Sequence, residues 1–288
     1  MSYTQSPLRY PGGKSSLSGL LAKFIELNNL QDGIYIEPYA GGAGAGLNLL
    51  FSEYASELIL NDADKNIYLF WHSILFDTER FVRLLNDTPI SIDEWKKHRQ
   101  ILKNSERYSE LEIAFSTFYL NRCNRSGVLY AGPIGGQLQS GKWLIDARFN
   151  RFELIRRIEK IALFASRVSI HNLDAIDFIK QHVLPLAVLD NRLLVYLDPP
   201  YYSKGSQLYL NYYVPQDHVT LANFINNQLG FKWIVSYDDV PQIRQLYSER
   251  EITTYSPRYS AHSAKIGKEV IIYCPNCLLP KLEIEISN

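Results

Sequence analysis

The chain has 288 residues, of which 46% are hydrophobic and 21% are charged, and its 30 basic and 30 acidic residues give a net charge of zero. This composition is typical of a globular protein with a substantial core, and the neutral total argues weakly against a nucleic-acid binder, since such proteins are commonly basic overall. Three cysteines are too few for a disulfide scaffold, and the sequence has neither a signal peptide nor an apolar run long enough for a membrane span, so we expect a cytoplasmic protein with no membrane partner.

The first predicted element is a helix from about Ser16 to Glu26, entered through the Tyr-Pro-Gly-Gly-Lys segment of residues 10–14. The segment is similar to the end of a phosphate-binding P-loop, but Leu8 stands where that motif requires a glycine. A nucleoside triphosphate site therefore fails on spacing. A helix entry with a surface lysine at Lys14 remains an alternative.

A predicted strand at residues 33–36 runs into the segment Glu-Pro-Tyr-Ala-Gly-Gly-Ala-Gly of residues 37–44. Small residues let the backbone pass close to a ligand whose polar groups meet the N–H groups at a helix start. The strict dinucleotide pattern would need a glycine where Leu47 stands, so hydride transfer with a nicotinamide cofactor is disfavoured. A purely structural tight turn is the other alternative.

Asp62 follows the next short strand, residues 57–61, and lies eighteen positions beyond Gly44. A carboxylate at the tip of the second strand is placed to accept hydrogen bonds from ribose hydroxyls, which indicates an adenosine-bearing cofactor. Its alternative role is an N-cap for a helix that begins near Asp64.

From about Asn66 to Phe118 apolar residues recur at spacings of three and four, which predicts several helices without an intervening strand. An inserted helical bundle fits this pattern better than regular alternation. A glycine-rich stretch at about 122–149 follows. Residues 122–167 hold nine basic and three acidic residues, whereas residues 32–66 hold six acidic and one basic, so the neutral total conceals a dipole. A basic, glycine-rich projection favours a DNA-reading loop, with a solvated helix after a mobile loop as the alternative.

Alternation returns with a predicted strand at residues 168–171, and Asp174 heads the helix that follows it. The apolar run of residues 193–197 predicts a buried parallel strand, and it ends in Asp198-Pro199-Pro200-Tyr201. The two prolines stiffen the exit from the sheet and hold Asp198 at the carboxyl end of the strand, where ligands bind in open α/β sheets. Later apolar segments at 232–236, 252–255 and 270–274 complete the sheet, the last two as an antiparallel pair.

The motif order Pro-Gly-Gly-Lys, Glu-Pro-Tyr-Ala-Gly-Gly, Asn-Asp, Tyr-Leu-Asn-Arg and Asp-Pro-Pro-Tyr resembles Dam-type (D12 class, alpha-group) DNA adenine N6-methyltransferases over nearly the whole chain. The resemblance implies an α/β fold with a Rossmann-like class I S-adenosylmethionine-dependent methyltransferase sheet, built from residues 1–75 and 165–288. It implies an inserted helical target-recognition domain at 76–164, with a glycine-rich loop or hairpin at about 122–149. The implied cofactor is S-adenosylmethionine and the implied partner is double-stranded DNA, with no metal. A cognate restriction enzyme and the oligomeric state stay open.

The same resemblance gives roles to individual residues. Asp198 and the carbonyl of Pro199 accept hydrogen bonds from the target amine, Pro200 holds that carbonyl, and Tyr201 offers a ring on which the base stacks. The residues expected at the cofactor are Tyr10, Lys14, Glu37, Pro38, Tyr39, Ala40, Gly41, Gly42, Gly44, Asp62, Asp174 and Asp198. Those expected at the DNA are Asn121, Arg122, Asn124, Arg125, Ser126, Lys142 and Arg148.

The expected activity is therefore methyl transfer from S-adenosylmethionine to N6 of a flipped adenine in double-stranded DNA. Cytosine N4, RNA or a protein amide are alternative acceptors, because the same acceptor geometry suits each of these amines. A nicotinamide-dependent oxidoreductase and a non-catalytic DNA-binding module are rivals from other functional classes.

Overall fold

A computed structural model of the protein describes residues 5–9, 13–203, 213–228, 230–255 and 268–280. Within these residues one seven-stranded sheet has the order β3-β2-β1-β4-β5-β7-β6. The strands are β1 (Gly33–Glu37), β2 (Ala55–Asn61), β3 (Val168–His171), β4 (Leu193–Leu197), β5 (Lys232–Asp238), β6 (Ile252–Tyr255) and β7 (Glu269–Tyr273). β1 to β5 pair in parallel, and β7 is antiparallel to both β5 and β6. This architecture confirms the predicted α/β class, its Rossmann-like sheet and the closing antiparallel pair.

The described helices lie between and around the strands. They are α1 (Ser18–Leu27), α2 (Gly44–Phe51), α3 (Lys65–Phe76), α4 (Thr78–Asp87), α5 (Ile92–Lys103), α6 (Glu110–Cys123), α7 (Arg151–Ala162), α8 (Ala175–Phe178), α9 (Leu184–Leu189), α10 (Pro215–Asn226) and α11 (Pro241–Leu246). A π-helical segment, Ile179–Val183, joins α8 to α9. None of these helices has the length and apolarity needed to cross a bilayer.

Five of the helices, α3 to α7, follow one another between β2 and β3, which confirms the predicted run of helices without a strand. Their buried faces are aromatic: Phe70 of α3 stacks on Phe118 of α6 at a ring-centroid distance of 5.9 Å, and Phe81 of α4 packs edge-on against Phe118. The apolar stripes at three- and four-residue spacing form this interior. It is continuous with the core beneath the sheet.

The order of the sheet reverses between β1 and β4. From β1 the chain proceeds outward to β2 and β3, and from β4 it proceeds in the opposite direction to β5. β4 is buried along its whole length, as expected for a central parallel strand. Such a reversal leaves a crevice at the carboxyl ends of the two central strands, and the residues directly after β1 and β4 therefore face it.

Candidate active site

A cleft of about 330 Å³ opens at the carboxyl ends of β1, β2 and β4. It gathers most of the residues predicted at the cofactor and two of those predicted for catalysis. These are Lys14, Glu37, Pro38, Tyr39, Ala40, Gly41, Gly42, Gly44, Asp62, Asp174, Asp198 and Pro200. Tyr10, also predicted at the cofactor, lies outside the described residues.

The turn between β1 and α2 is shaped by close packing as well as by its helix start. Gly41 has φ of +45°, in the left-handed region that favours glycine. A Cβ at Gly44, the first residue of α2, would lie 2.2 Å from Ser15 Oγ, and one at Gly46 would lie 2.6 Å from Leu58 Cδ1. The buried Glu37 accepts a hydrogen bond from the Gly46 N–H at 2.9 Å. Packing therefore requires small residues here, in addition to the ligand approach predicted from the sequence.

Asp62 holds the turn from the neighbouring strand. Its Oδ2 accepts from the Gly41 N–H at 2.9 Å, and its Oδ1 accepts from the Asp64 N–H at 2.9 Å. The N-cap of α3 is Asp64, which accepts from the Asn66 N–H at 2.8 Å. The capping alternative for Asp62 is therefore wrong, and its carboxylate lines the cleft instead.

Asn61, which the sequence analysis noted only as part of a motif, ties the walls of the cleft together. Its side-chain amide donates to the carbonyls of Pro38 and Leu173, both at 3.0 Å, and its Oδ1 accepts from the Leu173 N–H at 3.0 Å. The signal in the sequence that could have identified Asn61 was a polar residue at the end of an apolar strand. Asp174, which follows Leu173, has two roles. It caps α8, and it also lines the cleft.

The cleft is acidic. Among the described residues that line it, five carry carboxyl groups and only Lys14 carries a basic group. Burial raises the pKa of Glu37 to about 8 and the pKa of Asp62 to about 7, because ionising either group inside the cleft is costly. A cationic ligand would offset that cost, so the electrostatics of the cleft suit a positively charged small molecule.

The side chain of Asp198 has two unlike oxygens. Oδ1 accepts a hydrogen bond from Ser236 Oγ at 2.7 Å and lies 3.2 Å from Lys14 Nζ. Oδ2 accepts no hydrogen bond from any residue in the described part of the chain. Burial raises the pKa of the Asp198 carboxyl, and the adjacent Lys14 ammonium opposes this rise. One oxygen is thus anchored while the other is available to a ligand in the cleft.

Lys14 is buried, so the surface-lysine alternative is wrong. Its Nζ lies 3.1 Å from Glu269 Oε2 as well as 3.2 Å from Asp198, which makes it the centre of a buried ion-pair network. The Tyr201 hydroxyl donates to Glu269 Oε1 at 2.8 Å, and Lys14 Nζ lies 5.2 Å from the centre of the Tyr201 ring. Ser236 and Glu269 were both missed by the sequence analysis. For Ser236 the signal was a lone hydroxyl within an apolar strand, whereas no motif marks Glu269.

The Asp-Pro-Pro-Tyr corner is fixed on its far side by Asp238. This residue accepts hydrogen bonds from the N–H groups of Tyr202 and Ser203 at 2.8 and 3.0 Å, and from Ser203 Oγ at 2.5 Å. Pro199 is buried. Neither Pro199 nor Tyr201 is among the described residues that line the cleft, although Asp198 and Pro200 are.

The residues predicted to contact DNA divide into two groups. Asn121 is buried and donates its amide protons to the carbonyls of Arg9 and Gly127 at 2.8 Å. Asn124 is buried too, with its amide bonded to the carbonyls of Val128 and Leu129 and its Oδ1 accepting from Trp95. Both side chains are hydrogen-bonded inside the protein and hold the loop, and their contact with DNA stays a prediction.

Arg122 is half-buried and donates to the carbonyls of Pro7 and Arg148. Arg125, Ser126, Lys142 and Arg148 are exposed, as a DNA contact requires. Between these groups the loop residues 127–130 form a wall of the cleft, which the sequence analysis did not anticipate.

Comparisons with known proteins give one family match. The family model for D12 class N6 adenine-specific DNA methyltransferases matches residues 10–261. Among solved structures, the chain is similar to the rRNA methyltransferase aviRa from Streptomyces viridochromogenes, with 12% identity over 92% of this chain and 86% of that chain. The TM-score of 0.39 is too low for this likeness to bear on the fold or the activity. No curated protein sequence matches the chain.

Proposed function

Because this chain belongs to the D12 class of N6 adenine-specific DNA methyltransferases, we propose that its acidic cleft binds S-adenosylmethionine and that Asp198 directs the amine of a flipped adenine toward the methyl group. Family membership makes the chain an enzyme that methylates adenine in DNA. The observation that carries the assignment to Asp198 is its anchored Oδ1 and available Oδ2 at the edge of the cleft.

Three properties of the cleft fit the cofactor. Its volume of about 330 Å³ falls within the range of small-molecule sites. Its carboxylates suit a cation that also carries hydroxyl groups, with Asp62 in position for the ribose. The small-residue turn at Gly41–Gly44 brings the start of α2 to the cleft. When bound, S-adenosylmethionine supplies an electrophilic methyl group on a positively charged sulfur.

We expect the association constant for S-adenosylmethionine to rise several-fold between about pH 6 and about pH 8.5. The carboxyls of Glu37 and Asp62, with pKa values of about 8 and about 7, are largely protonated at the lower end and must ionise to attract the cation. S-adenosylhomocysteine lacks the sulfonium charge and serves as the control, with a shallower rise. Titration calorimetry at stepped pH measures both, and equal slopes for the two ligands would contradict the prediction.

The exocyclic amine of adenine is a poor nucleophile because its lone pair is delocalised into the ring. Two acceptors that bond its protons favour a tetrahedral nitrogen and free the lone pair for in-line attack. Asp198 Oδ2 is the first acceptor and the Pro199 carbonyl is the second. Unpairing and unstacking the base costs a few kcal/mol, and stacking on Tyr201 offsets part of that cost. Lys14 and Ser236 keep Asp198 fixed throughout, and no covalent enzyme intermediate is required.

Residues 76–164 form the target-recognition domain in this proposal. Their helices carry the loop at 122–149, on which Arg125, Ser126, Lys142 and Arg148 are exposed and would face the DNA. Arg122 and the two buried asparagines support the loop from within.

Replacing Lys142 and Arg148 together with glutamine is expected to raise the KM for DNA about tenfold or more at moderate salt, with kcat nearly unchanged. Each phosphate contact releases counterions from the DNA when the protein binds. Losing one contact should therefore reduce the slope of log binding constant against log salt concentration by about 0.9. Fluorescence anisotropy with a duplex at several salt concentrations measures the slope. Arg80→Gln, an exposed arginine paired with Asp77 on α4, is the control. An unchanged slope in the double variant would remove these residues from the DNA interface.

The motif order supports the Dam-type, alpha-group subclass. The decisive experiment supplies tritiated S-adenosylmethionine with unmethylated duplex DNA, RNA and protein, followed by nucleoside analysis of the labelled product. We expect N6-methyladenine in duplex DNA at one short sequence. N4-methylcytosine, or label in RNA or protein alone, would contradict the proposal. A restriction enzyme that cuts at the same sequence would place the chain in a restriction–modification pair.

A further inference from the structure

Ser236 lies fully buried near the carboxyl end of β5. The last paired residues of β4 and β5 are Leu197 and Val235. The residues that follow them, Asp198 and Ser236, therefore lie side by side. A buried hydroxyl is costly unless it is hydrogen-bonded, and alanine would fill nearly the same space in a sheet. The role of the hydroxyl at this position is therefore to form hydrogen bonds and not to fill space.

The hydroxyl of Ser236 both donates and accepts a hydrogen bond. It donates its proton to Asp198 Oδ1 at 2.7 Å, and it lies 2.7 Å from the Tyr196 hydroxyl. Since the single proton of Ser236 goes to the carboxylate, the Tyr196 hydroxyl is the donor in the second bond. The chain of bonds runs from Tyr196 through Ser236 to Asp198, which fixes the direction of the Ser236 proton.

A second donor acts on the same oxygen. Lys14 Nζ lies 3.2 Å from Asp198 Oδ1, and Glu269, at the start of β7, holds that ammonium from its other side at 3.1 Å. Two donors on one oxygen restrict rotation of the carboxylate plane. They therefore determine where the other oxygen, Oδ2, is held.

From this arrangement we propose that Ser236 is a positioning residue for methyl transfer, which fixes Asp198 Oδ1 so that Oδ2 meets the target amine. The inference rests on the proposed role of Asp198. Ser236 itself touches neither substrate nor cofactor in this scheme. It acts only through the carboxylate, and its loss should lower kcat without a matching change in either KM.

The test compares Ser236→Ala with Ser116→Ala. Ser116 of α6 is also fully buried and also makes a side-chain hydrogen bond, to His98 at 2.8 Å, but it has no hydrogen bond to Asp198. We expect kcat for Ser236→Ala to fall about tenfold to a hundredfold, because small misplacements of a reacting group cost that much. Both KM values should stay within about twofold of wild type, whereas Ser116→Ala should keep wild-type kcat.

The pH profile adds a readout that a structural role would not move. Hydrogen bonding from Ser236 lowers the pKa of the Asp198 carboxyl, so its removal should shift the acid limb of kcat to higher pH. Among the described residues, the ionisable groups that interact electrostatically with this carboxyl are Lys14, Tyr35, Glu37, Tyr196, Tyr237 and Glu269. None of these residues is substituted in the variant, so the shift reports the loss of the Ser236 hydroxyl, which bonds both Asp198 and Tyr196.

Two further variants complete the test. Ser236→Thr keeps the hydroxyl and should restore most of the lost kcat. Ser236→Cys keeps the volume with a weaker donor and should repeat the alanine result, which covers the case of an alanine variant that does not fold. Wild-type kcat with an unshifted acid limb in both Ser236→Ala and Ser236→Cys would overturn the inference while wild-type methylation left the proposed function standing. A wild-type protein that methylates no DNA would overturn both.

Discussion

Asp198→Ala is expected to lower single-turnover methyl transfer to duplex DNA by about a thousandfold or more. The substitution removes the oxygen that accepts from the target amine, and losing one charge-aligned group in a preorganised site alone costs about a hundredfold to a thousandfold. It also removes one of the two carboxylates that lie within 3.2 Å of Lys14 Nζ in the described part of the chain, the other being Glu269. Transfer of tritium to DNA under enzyme excess measures the chemical step directly.

The same variant should keep most of its affinity for S-adenosylmethionine. Glu37 and Asp62 stay in place and continue to line the cleft, so we expect the Kd to rise less than tenfold. Asp190→Ala removes a half-buried carboxylate that pairs with Arg192 outside the cleft and is the matched control, with wild-type activity. Unchanged turnover in Asp198→Ala would remove this residue from the mechanism, and complete loss of cofactor binding would make its role one of binding.

Asp62→Ala is expected to raise the Kd for S-adenosylmethionine about tenfold to a hundredfold while kcat at saturating cofactor changes little. The carboxylate organises the glycine turn through the Gly41 N–H and faces the cleft where a ribose would lie. Its loss removes both contributions, which together are worth about 1.4–2.8 kcal/mol for this change in Kd. Calorimetric titration gives the Kd, and initial rates at high cofactor give kcat.

The variant Asp62→Asn distinguishes the contact of this residue with the ligand from its stabilisation of the glycine turn. The amide keeps one oxygen for the Gly41 N–H but cannot attract a cation, so its Kd should lie between wild type and alanine. Asp77→Ala, a change at the start of α4 outside the cleft, controls for general loss of stability. A lower Tm in Asp62→Ala with an unchanged Kd would show that the residue serves only the turn.

The Asp-Pro-Pro-Tyr corner and the glycine turn after β1 could be predicted because each is contiguous in sequence. Strands β1 and β4 both end in polar, conformationally restricted segments, and parallel pairing brings such ends to one edge. Lys14 was assigned to the cleft, but its ion pair with Glu269 was not foreseen. That contact joins residues 255 positions apart, and it depends on the register of β7 against β5, which the sequence pattern does not determine.

For the loop at 122–149, residue type was a poor guide to the contacts of individual side chains. Asn121 and Asn124 stand among glycines and arginines, and by residue type alone they look like groups that face DNA. In the fold the loop carries carbonyls that need donors, and the asparagine amides turn inward to supply them. Residue type indicated which side chains could form hydrogen bonds, but only the folded backbone determined their partners.

The loop from Arg125 to Tyr130 contributes to both the outer surface of the protein and the wall of the cleft. Arg125 and Ser126 are exposed on the outer surface, and the next four residues form a wall of the cleft. Hydrogen bonds from Asn121 and Asn124 to the carbonyls of Gly127 and Val128 join this short segment to the end of α6. Duplex contact that shifts the segment would change cofactor affinity, and reciprocity then requires that cofactor occupancy change duplex affinity by the same factor. Under the proposed function, the loop thereby links duplex binding to cofactor binding.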